Sequence, residues 1–172
     1  MRLARFEAVL LPHLDAAHNL ACWLLGNAQD AEDAVQDSYV RALTYFDSFH
    51  GDEGRAWLLT IVRNTCYAWL RKHRGGPEST DFVPELESVP DHGPDPEDLH
   101  LQQLDRLKLK QCLDSLPAEF REALVLREME GMSYRQIARI TAVPIGTVMS
   151  RLARGRRRLQ QMLAPGVRKE AR

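Results

Sequence analysis

From Gly75 to Asp105 the sequence holds nine acidic residues and no Lys or Arg, and Gly75-Gly76-Pro77, Pro84, Pro90, Gly93-Pro94 and Pro96 interrupt any regular period there. Such a stretch has too little apolar surface to offset the entropy of ordering it, so it divides the chain in two. On either side of it, apolar residues recur at helical spacing, and nowhere do four or more residues alternate as a half-buried strand would. The predicted fold class is therefore all-α: two small helical domains, 1–74 and 98–164, joined by an acidic flexible linker, 75–97, with a short polar tail, 165–172. No internal repeat relates the two halves.

Charge is sorted along the same divide. The formal net charge of -1 argues, taken alone, against a nucleic-acid ligand, because neutralising phosphates takes clustered cations. From Gly131 to Arg172, however, ten basic residues face Glu170 alone, which makes the C-terminal part strongly cationic. Cys22, Cys66 and Cys112 form no Cys-x-x-Cys pair and have no His partners at zinc-finger spacing, so buried thiols in a reducing compartment are expected. No run of 18 apolar residues occurs, and the N-terminus lacks a basic stretch followed by an apolar block. A cytoplasmic chain without membrane insertion is the expectation.

In the C-terminal half, Ser115 ahead of Leu116-Pro117 predicts a capped helix through Phe120, Ala123, Leu124 and Leu126, which Gly131 can end. Ser133 caps a second, Tyr134 to Ile140, and Thr141-Ala142-Val143-Pro144 breaks it before Ile145-Gly146-Thr147 opens a third. This is helix-turn-helix spacing. Along the last helix Val148, Leu152, Gly155, Leu159 and Met162 form one stripe, the core side. Thr147, Ser150, Arg151, Arg154, Arg157 and Arg158 lie on the opposite or flanking side. Short hydrogen-bonding groups at the helix start followed by guanidiniums suit a helix whose N-terminal residues meet base edges while later cations meet phosphates. The plain alternative is a solvated basic helix.

In the N-terminal half, Asp30 is expected to cap a helix from Ala31 to about Phe46, with Val35, Tyr39, Ala42, Leu43 and Phe46 inward and Asp33, Gln36, Asp37, Val40 and Thr44 outward. An acidic outer face is by itself as well explained by solvation. After a loop rich in turn residues, Trp57 to Arg74 predicts a second helix, with Trp57, Leu58, Ile61 and Thr65 inward. Thr60, Arg63, Asn64, Tyr67 and Arg71 cluster on its other side, combining cations, an amide and an aromatic ring as single-strand sites do. A packed Tyr67 among solvated arginines is the competing possibility.

Four ordered motifs carry a resemblance: Asp30-Ala31-Glu32-Asp33-Ala34-Val35-Gln36-Asp37; Arg55-Ala56-Trp57-Leu58-Leu59-Thr60-Ile61-Val62-Arg63-Asn64; Leu113-Asp114-Ser115-Leu116-Pro117; and Gly146-Thr147-Val148-x-Ser150-Arg151-Leu152. The chain resembles the sigma-70 family of RNA polymerase sigma factors, extracytoplasmic function (group 4) subfamily, over nearly its whole length apart from the linker and tail. The resemblance implies a sigma region 2 bundle and a sigma region 4 helix-turn-helix.

It also implies that Glu32, Asp33, Gln36 and Asp37 contact core RNA polymerase. By the same resemblance His50, Asp52, Arg55, Trp57, Thr60, Arg63, Asn64, Tyr67 and Arg71 bind the minus-10 element, one base of which is held flipped from the stack. Ser133, Tyr134, Gly146, Thr147, Ser150, Arg151, Arg154 and Arg158 become the minus-35 contacts. The sequence departs from a frequent family pattern at Met149 and Ala153, where a cation and a bulkier residue are common. The family's linker passes through the RNA path of the polymerase, which Glu85, Glu87, Asp91 and Asp95 would suit, and those acids could also screen the arginine face of the chain on its own.

Core polymerase, promoter DNA and an anti-sigma factor, in a stress or envelope response, are the partners the family implies. No cofactor, metal or catalytic residue is expected. The alternative function is a stand-alone helix-turn-helix regulator acting at operators, which leaves the Asp33-Gln36-Asp37 face unexplained. A nucleic-acid enzyme is disfavoured, since the sequence holds neither a metal-binding carboxylate cluster nor a phosphate-cradling glycine loop.

Overall fold

The computed structural model describes residues 1–73 and 96–164, the side chains of 96–104 excepted, and within them every regular element is a helix. Most of the acidic linker, the four linker acids named above and the 165–172 tail lie outside the described residues.

The N-terminal half is built from α1 (Arg2–Leu10), α2 (Leu14–Leu25), α3 (Ala28–Tyr45) and α4 (Gly54–His73). Helices α2, α3 and α4 pack pairwise into a bundle, around Leu20, Leu24, Val35, Leu58, Leu59 and Val62. At one end Phe6 meets Phe46 edge-on at 5.3 Å, and Phe49 packs against Trp57 at 5.1 Å. This aromatic plug closes the end from which the loop before α4 emerges. Helix α1 crosses α4 so closely that a Cβ on Gly54 would lie 2.6 Å from Val9 Cγ1, so glycine at the start of α4 is a packing requirement.

Three expectations are corrected here. Helix α3 starts earlier than Asp30 suggested: Asn27 is its cap, its side-chain oxygen accepting the Gln29 and Asp30 amides at 2.8 and 3.2 Å. Asn27 wins because its own backbone is extended while that of Asp30 is already helical, and an N-cap needs the former. Leu43, expected inside, is 37% exposed, because the aromatic plug draws Phe46 rather than Leu43 inward. Cys22 is only half-buried, whereas Cys66 and Cys112 are buried.

The C-terminal half comprises α5 (Pro96–Asp114), α6 (Ala118–Leu124), α7 (Tyr134–Thr141) and α8 (Ile145–Leu163), with a π-turn over Val125–Met129 extending α6. Ser115 does not cap α6; its hydroxyl donates to the Cys112 carbonyl at 2.8 Å, and Pro117 stands at the cap position. Ser133 does cap α7, in a reciprocal box with Gln136. The turn between α7 and α8 passes through Ala142 at φ 55°, a left-handed conformation that costs a non-glycine residue energy. Val148, Leu152 and Gly155 are buried, and Leu159 and Met162 pack at the edge of the core. A Cβ on Gly155 would lie 3.1 Å from Leu124 Cδ1, so the glycine sets the approach of α8 to α6.

The halves are packed together. Helix α4 lies against α7, and α2 lies against α6 and the π-turn.

Candidate nucleic-acid interface

On α3, Glu32, Asp33, Gln36 and Asp37 are all exposed on one side, the side opposite Ala31, Ala34, Val35 and Ser38, which face the core. Asp37 accepts from Arg41 one turn later at 3.0 Å. Val40 beside them is 64% exposed. The arrangement is a solvated acidic face with an apolar spot, suited to a partner that offers cations around a small hydrophobic surface.

The loop before α4 and the first turns of that helix enclose an open cavity of about 400 Å³, lined by His50, Asp52, Glu53, Trp57, Thr60 and Arg139 among others. Trp57 is fixed by Phe46 and Phe49, and the Thr60 hydroxyl donates back to the Ala56 carbonyl at 2.8 Å. His50 and Asp52 are exposed on the loop. It is an open cleft, with Phe49 and Trp57 on one side and polar groups around it. His13, near the base of α2, has a pKa held below its ordinary value, first by burial and then by the Arg55 charge.

Further along α4 the side chains that would grip a strand are engaged. Arg63 donates from Nε to Glu122 Oε1 at 2.5 Å, and its guanidinium lies over the Tyr67 ring at 4.4 Å. The Tyr67 hydroxyl donates to the other Glu122 oxygen at 3.2 Å, and burial, then the Glu122 charge, pushes its pKa up to about 12. Arg55 pairs with Glu130 at 2.8 Å. Glu122 and Glu130 belong to α6 and the end of its π-turn, so the C-terminal half covers this part of the α4 face. Asn64 and Arg71 remain exposed. The structure thus brings His50, Asp52, Trp57 and Thr60 together in one cavity, and places Arg55, Arg63 and Tyr67 beside it under carboxylates from the other half.

On α8 the arrangement is different. Gly146, Ser150, Arg154 and Arg158 are exposed, and Thr147 and Arg151 are half-buried at the helix start. The Ser150 hydroxyl donates to the Thr147 carbonyl at 3.0 Å. Ser133 is occupied as a cap, and Tyr134 lies under the Arg127 guanidinium at 4.7 Å, so these two border the reading face. Arg158 lies 5.1 Å over Phe120. Arg156, not singled out in the sequence, pairs with Glu128 through two donors at 3.0 and 2.6 Å. Among the described residues, no carboxylate lies within salt-bridge distance of Arg151, Arg154 or Arg157. Met149 is 53% exposed, which puts an apolar shoulder where a cation is common.

Glu122, Glu130 and Asn19, which join the two halves through side-chain hydrogen bonds, are not among the residues that the sequence singles out. In the sequence Glu122 follows Arg121 in a helix that also carries Glu119, so nothing local marks it out from its charged neighbours. Its partners come from a distant segment.

Comparison with known proteins agrees with this layout. The family model for sigma-70 region 2 matches residues 10–75, and that for sigma-70 region 4 matches residues 106–159. The ECF RNA polymerase sigma factor SigE of Mycolicibacterium smegmatis is 34% identical over 92% of this chain, which spans 62% of that protein's length. The ECF RNA polymerase sigma-E factor of Salmonella typhimurium is 35% identical over 81% of this chain and 77% of its own length. Among solved structures, the sigma factor RpoE of Bartonella quintana, bound to the anti-sigma factor NepR, is similar over 92% of this chain and 96% of that one, with 38% identity and a TM-score of 0.71.

Proposed function

Given that the chain belongs to the extracytoplasmic function group of sigma-70 factors, we propose that it binds core RNA polymerase and directs promoter-specific initiation of transcription. Glu32, Asp33, Gln36 and Asp37 would dock on the polymerase. The loop cavity and the α4 face would hold the melted minus-10 strand, and Thr147, Ser150, Arg151 and Arg154 would read the minus-35 element. The observation that carries this reading is the pairing, in one chain, of a helix-turn-helix, whose last helix presents guanidiniums that pair with no carboxylate among the described residues, with a separate cavity walled by Trp57 and rimmed by polar groups. Duplex contacts and single-strand contacts need different surfaces, and melting is offset only by binding the exposed strand.

The chain supplies binding rather than bond-making: sigma factors are not in general enzymes, and nucleotide addition belongs to the polymerase. No helix among the described residues is long and apolar enough to cross a membrane. The similar Bartonella protein is bound to an anti-sigma factor, and a comparable inhibitor spanning both halves would couple this chain to a stress or envelope signal. Purified core polymerase with and without the chain, on promoters selected from random DNA, tests the proposal. Specific transcripts only with both components support it. Tight operator binding by the chain alone, with no transcript, supports a stand-alone regulator instead.

A further inference from the structure

We propose that Met149 is a specificity residue of the minus-35 face, selecting a thymine through apolar contact with its 5-methyl group. The inference rests on the reading of α8 as the minus-35 helix and adds the base that one flank of that helix selects.

At helical spacing the outer side of α8 divides into two flanks. Thr147, Arg151, Arg154 and Arg158 fall on one, which is cationic. Ile145, Met149, Ala153 and Arg156 fall on the other. There Ile145 is 43% and Met149 53% exposed, and Ala153 is exposed as well. Arg156 already gives two donors to Glu128, at 3.0 and 2.6 Å, and Glu128 is itself exposed. Among the described residues, this flank therefore offers a DNA phosphate no unpaired cation and, at Glu128, a repelling charge.

Single exposed hydrophobic residues need no partner. Ile145 and Met149, however, lie one turn apart at the start of the helix, the part of a recognition helix that meets base edges. Side chains on a helix lean toward its N-terminus, so Met149 serves that end. In the major groove a base pair presents hydrogen-bond donors and acceptors, together with one group that favours apolar contact, the thymine methyl. Methionine, unbranched and polarizable, adapts to such a surface, and the small Ala153 one turn later leaves space beside it. A cation in place of Met149 would meet a phosphate instead and carry no sequence information.

The test uses holoenzyme on promoters that it has selected from random DNA. Each thymine of the minus-35 element, on either strand, is replaced singly by deoxyuridine, which removes the methyl and keeps the pairing edge. Affinity is followed by fluorescence anisotropy at fixed salt. With the parent chain, one position is expected to lose about threefold to fivefold in affinity. With Met149→Ala the same substitution is expected to cost nothing, and comparing the two chains cancels what uracil does to the duplex itself. Met149→Lys should be equally blind to the methyl, bind all sequences tighter and steepen the salt dependence by about one phosphate contact. No sensitive thymine with the parent chain, or a uracil loss that persists in Met149→Ala, overturns the proposal. So does a loss in Met149→Ala that is equal on every sequence, which would put the side chain on phosphate or polymerase. Should the chain select DNA without polymerase, the sigma reading falls, while the same substitutions in those sites still decide the role of Met149.

Discussion

The two faces proposed to bind nucleic acid differ in how open they are. Helix α8 presents Arg154, Arg157 and Arg158 to solvent, with Thr147, Ser150 and Arg151 at its start, whereas Arg55, Arg63 and Tyr67 on α4 are engaged by Glu130 and Glu122 from the other half. Both faces are cationic helices. What separates them is whether, among the described residues, a carboxylate from another helix reaches them, and it teaches that the exposure of an arginine, rather than its presence, decides whether a site is available.

The largest test of the comparison is mechanical. Replacing Leu152, 1% exposed between α6, α7 and α8, by Ala should cost about 2–5 kcal/mol in urea unfolding. The same change at Leu58, 0% exposed in the N-terminal bundle, should cost a similar amount. If the interface couples the halves only weakly, the two variants shift different parts of the transition; a single shared transition for both would show that the halves unfold as one body, as the apolar core running through both implies. Next in size is Arg151→Ala, expected to lose about 1–3 kcal/mol of discrimination at one minus-35 base pair in holoenzyme binding. A uniform loss across all sequences would place it on phosphate.

Ser133→Ala should cost about 1 kcal/mol of stability by removing the hydroxyl that caps α7, with promoter selectivity intact. A change in selectivity would move Ser133 from the border of the reading face into it. Smallest in stability is the double reversal Asp33→Lys and Asp37→Lys, which removes an exposed pair with Arg41 worth about 0.5 kcal/mol or less, yet should weaken capture of core polymerase. Unaltered affinity for core enzyme would remove the assignment of this face.

The fold and the placement of the α8 side chains are legible in sequence because both rest on local periodicity. The stripe Val148, Leu152, Gly155 and the Ser133 cap are each set by neighbours a few residues away, and the structure places them as the spacing predicts. Local competition was harder. Asn27 and Asp30 are both good cap residues, and only the backbone at each decides between them. Least legible was the covering of α4: Arg63 reads as a solvated or strand-binding cation until Glu122 is brought to it from the other half, and no period in either segment encodes that meeting. Leu43 and Phe46 show the same limit on a smaller scale, since the aromatic plug that holds Phe46 includes Phe6 and Trp57 from separate helices.

Permanganate probing of unpaired thymines on a selected promoter tests most directly whether this chain opens DNA with polymerase. Core enzyme plus the chain should make thymines around the minus-10 position reactive, with neither component sufficient by itself, and Tyr67→Ala should diminish that reactivity while leaving protection of the minus-35 region in place. Protection upstream with no reactive thymines in the presence of both components would contradict the account.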